Sequence, residues 1–465
     1  MSSTRSPEKS LRTLKRRLGL FDSTMMMMGI VIGSGIFLTT GIMAKSVPSI
    51  PLLLASWLLG GGLVLAGALT YAELGAALPE AGGQYVYLRE AYGALPAFLF
   101  GWKMFVVSMT GSIAALGMAF AEYFGRFFPA LATDRYLVSF SIAFFGRNVQ
   151  YSISAGQCVA VSVIVLFSFL NAIGVSWGKS IQNTLTSFKI GVLIVFVLGA
   201  LAFCQKIPID FAFNPQAIPF GQLMTGFGLA FIAVFWAFDG WNNINYIAGE
   251  IKNPRKNLTF ALVFGTIGVT ALYGLTNLVY FAALPLSEIA GVVPVAEKAA
   301  SSLFGSGVAG LFSGIILVSV LGALNGAIFV GPRVYYAMAR DGFFFSSAAK
   351  IDRRFQTPSA SIFLQTVWAC LLALTGTFEQ LFTFAMFAGI VFWVAAAAAV
   401  FPLRKRADLS KPYKAWGYPF TPIVFIVVLV GILMNTLILK PVESLAGLFL
   451  VLTGVPVYFF WRNRR

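Results

Sequence analysis

Gly29-Ile30-Val31-Ile32-Gly33-Ser34-Gly35-Ile36-Phe37 lies inside the first long apolar run of the chain, and its Gly-Ser-Gly centre interrupts an otherwise continuous membrane helix. A second interruption, Phe235-Trp236-Ala237-Phe238-Asp239-Gly240-Trp241-Asn242, lies about 206 residues later. Glycine costs ~1 kcal/mol relative to alanine in a helix interior, and an ionised aspartate near the bilayer centre costs at least ~2.5–3.5 kcal/mol on insertion scales. Opening the backbone at both places frees amide N–H groups in the first segment and carbonyls in the second, which can hold a carboxylate and an ammonium group respectively. For Gly33-Ser34-Gly35 taken alone, close helix packing by small residues is the competing reading.

The rest of the chain supports a membrane setting. Of 465 residues, 58% are hydrophobic and only 11% charged, with a mean hydropathy of +0.84, too few charges for a water-facing surface. The absence of histidine excludes His-liganded zinc, His-held haem and imidazole-based triads. Cys158, Cys204 and Cys370 stand far apart, so neither a disulfide framework nor a metal centre is expected, and no cofactor is implied. Crossing a ~30 Å hydrocarbon core takes about 20 apolar residues. Such runs fall at 21–43, 50–78, 95–124, 150–173, 182–205, 221–247, 258–283, 302–335, 358–376, 379–401, 420–439 and 443–461, which predicts about twelve spans. The stretch 136–145 is apolar but too short, and suits an interfacial or re-entrant piece.

Charge tests the parity of this count. The basic N-terminus, with Arg5, Lys9, Arg12, Lys15, Arg16 and Arg17, runs into the first span without a small-residue cleavage site and reads as a cytoplasmic tail. With twelve spans and both ends inside, 24 of the 33 lysines and arginines fall on the cytoplasmic side, against seven outside: Lys45, Arg126, Arg135, Arg147, Lys206, Lys298 and Lys440. The net charge of +16 is thereby explained by topology, without nucleic acid. Span starts repeat at an offset of roughly 200 residues, Ile50 with Leu258, Leu95 with Ser302, Gln150 with Pro358 and Gln182 with Glu379. Five spans precede the second set, so equivalents enter from opposite sides. The expected fold is an all-α membrane protein with a 5+5 inverted repeat, broken helices at spans one and six, and two peripheral helices. The corresponding units are a tail at 1–20, a first repeat at 21–205, a second at 206–402, and two additional spans with a short cytoplasmic tail at 403–465.

Gly29 to Phe37 resembles the first-span motif of the amino acid–polyamine–organocation superfamily. Tyr71-Ala72-Glu73-Leu74-Gly75 with Pro79-Glu80-Ala81-Gly82-Gly83-Gln84-Tyr85-Val86-Tyr87 resembles its second-span and inner-loop motif. Phe238 to Asn242, Gly249-Glu250-Ile251-Lys252-Asn253-Pro254, Leu324-Asn325-Gly326 and the stretch Arg333 to Gly342 are similar to the L-type amino acid transporter branch. The resemblance implies that Val31, Gly33, Ser34 and Gly35 serve a substrate α-carboxylate, and that Trp236, Ala237 and Asp239 serve its α-amino group. Trp236 stands where the family places an aromatic that closes over the bound amino acid. A fifth-span lysine, here Lys189, stands where sodium-coupled relatives of the fold bind a cation. Heavy-chain partners in the family attach through an external cysteine, which the stretch from Gly125 to Gln150 lacks, so no disulfide-linked subunit is expected.

Individual charges sharpen this picture. Lys189 lies ten residues beyond Lys179, about 15 Å deep, beyond the reach of snorkelling. It is expected to pin span one to span eight in place of sodium, and it is a candidate proton carrier. Lys103 lies near the inner end of span three, where snorkelling is expected to carry its head group to water. Asp239 can neutralise another group, select a cationic side chain or carry a proton. Glu73 is expected to pair with a loop cation, and Asp22 with Ser23 to cap the first helix. Gly249-Glu250 replaces the family's pair of glutamates after span six, which leaves the inner gate open to question.

These residues point to a plasma-membrane permease for L-α-amino acids, neutral in the main reading, working by alternating access, sodium-independent, with exchange or proton coupling. A cationic or dibasic amino acid transporter is the alternative, and a non-transporting sensor of the same fold is the next. An enzyme is not expected, since the chain lacks histidine, paired carboxylates on one span and a cysteine nucleophile setting.

Overall fold

A helix apolar on every face has only lipid or protein interior to sit against. The computed structural model, which describes residues 13–144, 147–203, 211, 220–292, 294–375 and 378–464, shows both environments along single helices. In Val175–Phe203, Val195, Leu198 and Leu201 are exposed on one side while Leu193, Phe196 and Ala200 are buried on the other. Ten helices among the described residues are long and apolar enough to cross a membrane, and the shorter apolar helices Thr225–Ala237 and Ser359–Thr375 complete the expected twelve.

The first span is two helices, Leu20–Val31 and Gly35–Ser46, separated by Ile32, Gly33 and Ser34. The sixth runs Phe220–Ala237, opens into turns at Phe238 to Asn242, and resumes as a short 3-10 segment, Asn243–Glu250. Ile50–Ala77 is the second span, Ala94–Phe127 the third, Ala155–Ala172 the fourth and Pro254–Ala283 the seventh. Ala309–Val330 forms the eighth with its continuation Pro332–Arg340, and Phe378–Ala398 the tenth. Each of the first four spans packs on the span five later in sequence, the second half of span one on span six, two on seven, three on eight and four on nine. Such pairing of equivalents is what an inverted repeat produces. Phe420–Leu439 and the last span, Pro441–Leu452 with Gly454–Arg462, lean on this ten-helix body and are its least buried members.

Several boundaries differ from the sequence expectation. Residues 136–144 of the short apolar stretch form a strand, β1 (Tyr136–Phe144), pairing antiparallel with β2 (Arg147–Ser154), the one pair of strands among the described residues of an otherwise helical fold. Span four therefore begins at Ala155 and not Gln150. Its start is set by a capping box in which the Ser154 hydroxyl accepts from the Gln157 amide at 3.2 Å and the Gln157 side chain accepts from the Ser154 amide at 2.7 Å. Span five starts at Val175, earlier than Gln182, and span eight at Ala309, because Ser302 belongs to a preceding short helix, Val295–Phe304. Span three contains a π-helical turn, Met104–Ser108, with the Thr110 hydroxyl bonded five residues back to the Phe105 carbonyl at 2.7 Å. Arg5, Lys9, Arg12, Cys204 and Lys206 lie outside the described residues.

Candidate functional site

The two breaks meet. A Cβ on Gly35 would stand 2.6 Å from the Ala237 Cα, so only glycine lets the span-one backbone approach span six this closely. Gly240 has φ +93° and lies against Ile30, where a Cβ would fall 2.4 Å from Cγ2.

At the first break the carbonyls are tied to the surrounding helices. Lys189, 2% exposed, donates to the Gly29 carbonyl at 2.8 Å and the Ile32 carbonyl at 2.6 Å. From span eight, the Ser319 hydroxyl lies 3.2 Å from the Ile32 carbonyl and 3.3 Å from that of Gly33, and Gly322 packs on the Lys189 stem. Lys189 is therefore buried between spans one and eight, with its ammonium spent on span one while its stem touches span eight. The Val31 carbonyl accepts from the Gly33 amide at 2.7 Å and from the Tyr273 hydroxyl at 2.9 Å. Gly33 thus turns its amide back on Val31. The amides of Ser34, Gly35 and Ile36, at the start of the second half-helix, have no intrahelical acceptor by construction and carry the positive end of the helix dipole.

At the second break, the Trp236 carbonyl accepts from the Asp239 amide at 3.2 Å and the Ala237 carbonyl lies 3.2 Å from the Tyr273 hydroxyl. A hydroxyl has one proton. Tyr273 can therefore donate to span one or to span six but not to both at once. Its ring is held edge-on by Trp57, 5.5 Å away, and by Phe238, 5.1 Å away. Nothing in the sequence marks Tyr273, which is one tyrosine in a long apolar helix.

A cavity of about 420 Å³ opens between the breaks. Val31, Gly33, Ser34 and Gly35 line it from span one, and Trp236, Ala237 and Asp239 from span six. Lys189 lies behind it. Span three lines the cavity from Lys103 to Glu122, about 28 Å of helix. Lys103 does not snorkel to water as expected: it is only 7% exposed and lines this cavity together with Asp239. The π-helical turn after it changes the face presented by the helix at this point.

The floor is a buried polar cluster. The Gln84 amide oxygen accepts from Asn242 at 2.5 Å and Tyr246 at 2.8 Å, while its nitrogen donates to the Tyr71 hydroxyl at 2.8 Å. Beneath it, Glu250 grips Arg333 in complete burial, Nε to Oε1 at 2.6 Å and Nη2 to Oε2 at 3.2 Å, so the single glutamate after span six has a buried cation as partner. The Glu250 carbonyl also accepts the amides of Arg17 and Leu18, and Lys252 donates to the Leu18 carbonyl, so the end of the N-terminal tail is stitched over this face. Asp22 caps the first helix through the Gly19 amide as expected, and also binds Lys179 and Asn183. Glu73 pairs with Arg404 at 3.0 Å. Outside the spans, Arg406 bonds Glu90 at 2.8 Å and Arg89 bonds Asp341 at 2.8 Å. The Arg406 hydrogen bond, aided by Arg89, holds the Glu90 carboxyl below its ordinary value against partial desolvation. The Gln84 cluster thus borders the cavity on the side of the tail, and the lining extends along span three to Glu122.

Residues 18–457 match the family model described as amino acid permease. The chain is 33% identical over 460 residues to the serine/threonine exchanger SteT of Bacillus subtilis, covering 97% of this chain and 98% of that protein. It is 28% identical to the human b(0,+)-type amino acid transporter 1 over 99% of this chain and 90% of that protein. It is 30% identical to the mouse Asc-type amino acid transporter 1 over 97% of this chain and 82% of that protein.

Proposed function

This chain belongs to the amino acid permease family and carries amino acids across a membrane, and on that premise we propose that it exchanges small neutral L-α-amino acids by alternating access, without sodium. One observation carries the reading. At the first break the carbonyls of Gly29 and Ile32 are engaged by Lys189 and that of Val31 by the Gly33 amide, which leaves the amides of Ser34, Gly35 and Ile36 as the electropositive groups that span one offers at the break. A substrate α-carboxylate suits those amides. The carbonyls of Trp236 and Ala237, where the sixth span opens, suit an α-ammonium group, and Trp236 is the aromatic that would cover the bound substrate. In this reading Val31 and Gly33 shape the break while Ser34 and Gly35 bind, Asp239 sets the charge of the pocket, and Lys189 takes the place of a bound cation at the span-one break.

Exchange is supported by the likeness to a serine/threonine exchanger. The two five-helix repeats, 21–205 and 206–402, would rock about the shared breaks, with spans eleven and twelve as bystanders. The excess of Lys and Arg on one set of loops supports a plasma-membrane protein with both termini cytoplasmic. If the buried polar cluster and the Glu250–Arg333 pair act as a tail-side seal, the form described would be outward-facing. The test is counterflow in proteoliposomes preloaded with unlabelled amino acid, using a radiolabelled panel with and without sodium. Accumulation of labelled serine, threonine or alanine that needs internal amino acid and ignores sodium is expected. No accumulation of any member of the panel would sink the reading.

A further inference from the structure

We infer that Lys103 is a specificity-determining residue: its ammonium is the resident counter-charge of Asp239 inside the transport cavity and excludes substrates with cationic side chains. The inference rests on the transport reading above and adds the residue that decides between neutral and dibasic substrates. Asp239 is partly exposed to the cavity, and a carboxylate there would by itself attract an arginine or lysine side chain. Lys103 faces the same cavity from span three, and its Nζ stands 3.4 Å from where a Cβ on Gly389 would lie, so the head group is packed against span ten well inside the protein. Glu122, the other carboxylate lining this cavity among the described residues, is 19 residues further along the same span, about 28 Å away.

Two side-chain oxygens of the buried polar cluster are already engaged. The Gln84 oxygen is taken by Asn242 and Tyr246, and the Asn245 oxygen by Tyr87. Among the described residues no carboxylate lies within ion-pair distance of Lys103, and Asp239 faces it as a lining residue of the same cavity. A bound neutral amino acid leaves that arrangement in place. A dibasic one brings a second cation into a space where one already stands, and the like-charge cost falls on it alone.

The experiment is counterflow of the neutral amino acid exchanged fastest by the wild type, competed by arginine and, as control, by the same unlabelled neutral amino acid. Each protein is scored by the ratio of the two inhibition constants. Arginine should be a poor competitor for the wild type. Lys103→Met should improve the ratio for arginine by at least about tenfold, and Lys103→Met/Asp239→Asn should remove that gain. Arginine competing as well as the neutral amino acid in the wild type overturns the inference whatever the variants do. So does a Lys103→Met protein whose ratio is unchanged. If Lys103→Met gives no flux, arginine-induced thermal stabilisation of the purified variant replaces the ratio, and its absence counts against the inference. Failure of every amino acid to exchange in the wild type would instead strike the transport reading itself.

Discussion

The Lys189 ammonium donates to the Ile32 carbonyl across 2.6 Å, in a setting that leaves only 2% of the lysine exposed. With the Gly29 carbonyl it makes two charge-assisted bonds to a helix end that has lost its own partners. Hydrogen bonds to charged groups contribute about 1.5–3 kcal/mol each. Lys189→Ala should lower the initial rate of counterflow at least about tenfold. A variant with wild-type rate and wild-type pH dependence would show that the break stands without it.

Tyr273→Phe removes one proton shared by the Val31 and Ala237 carbonyls and keeps the ring between Trp57 and Phe238. A neutral hydrogen bond contributes about 1 kcal/mol, so transport should fall roughly fivefold while the thermal stability in detergent changes little. An effect on melting larger than that on transport would mark the hydroxyl as scaffold only.

Glu250 and Arg333 form a fully buried pair, so either single replacement strands a charge. Glu250→Gln or Arg333→Met should cost about 3–5 kcal/mol and lower the melting temperature sharply. The double replacement by apolar residues should recover much of that stability. If the tail-side seal depends on the pair, a cysteine introduced at Leu18 becomes reactive to a polar thiol reagent in the singles.

Gly35→Ala places a methyl group 2.6 Å from the Ala237 Cα, where backbone and not a flexible side chain must give way. Overpacking of this kind costs about 1–3 kcal/mol. The two breaks should separate, and exchange should drop about tenfold or more without loss of the folded protein. Wild-type affinity in this variant would show that the breaks need not touch.

Glu90 offers a pH handle outside the spans. Its carboxyl is held below the ordinary value chiefly by Arg406, so the clasp contributes fully above the unfolded value, about 4.3, and is lost as pH falls through the depressed one. Acid melting profiles of the wild type should therefore be steeper below pH about 4.3 than those of Glu90→Gln. Coincident profiles would show that the clasp adds nothing.

Much of the site is legible in the sequence because it violates the rules of its surroundings. Glycines and an aspartate inside apolar runs mark both breaks, and depth alone singles out Lys189. The features that escape the sequence depend on direction or on distant pairing. Lys103 misleads because its distance from the membrane edge says nothing about which side of the helix it faces, and the π-helical turn beside it alters that facing. Tyr273 is a hydroxyl in a buried helix with nothing local to distinguish it. The Glu250–Arg333 pair joins residues 83 positions apart. The hairpin lies in a stretch whose apolar content hides its alternation, although the Ser154 and Gln157 capping pair could have placed the start of span four.

The wide turn at Met104–Ser108 also bears on how selectivity can change over evolution. A single extra residue accommodated in a helix rotates the part before it by about 100° relative to the part beyond it. Loss of Phe105, Val106 or Val107 from that turn would restore ordinary helical bonding and swing Lys103 away from Asp239, with the identity of every cavity-lining residue unchanged. Substrate choice in this lineage can therefore shift through a one-codon deletion, a route that comparing aligned pocket residues would miss.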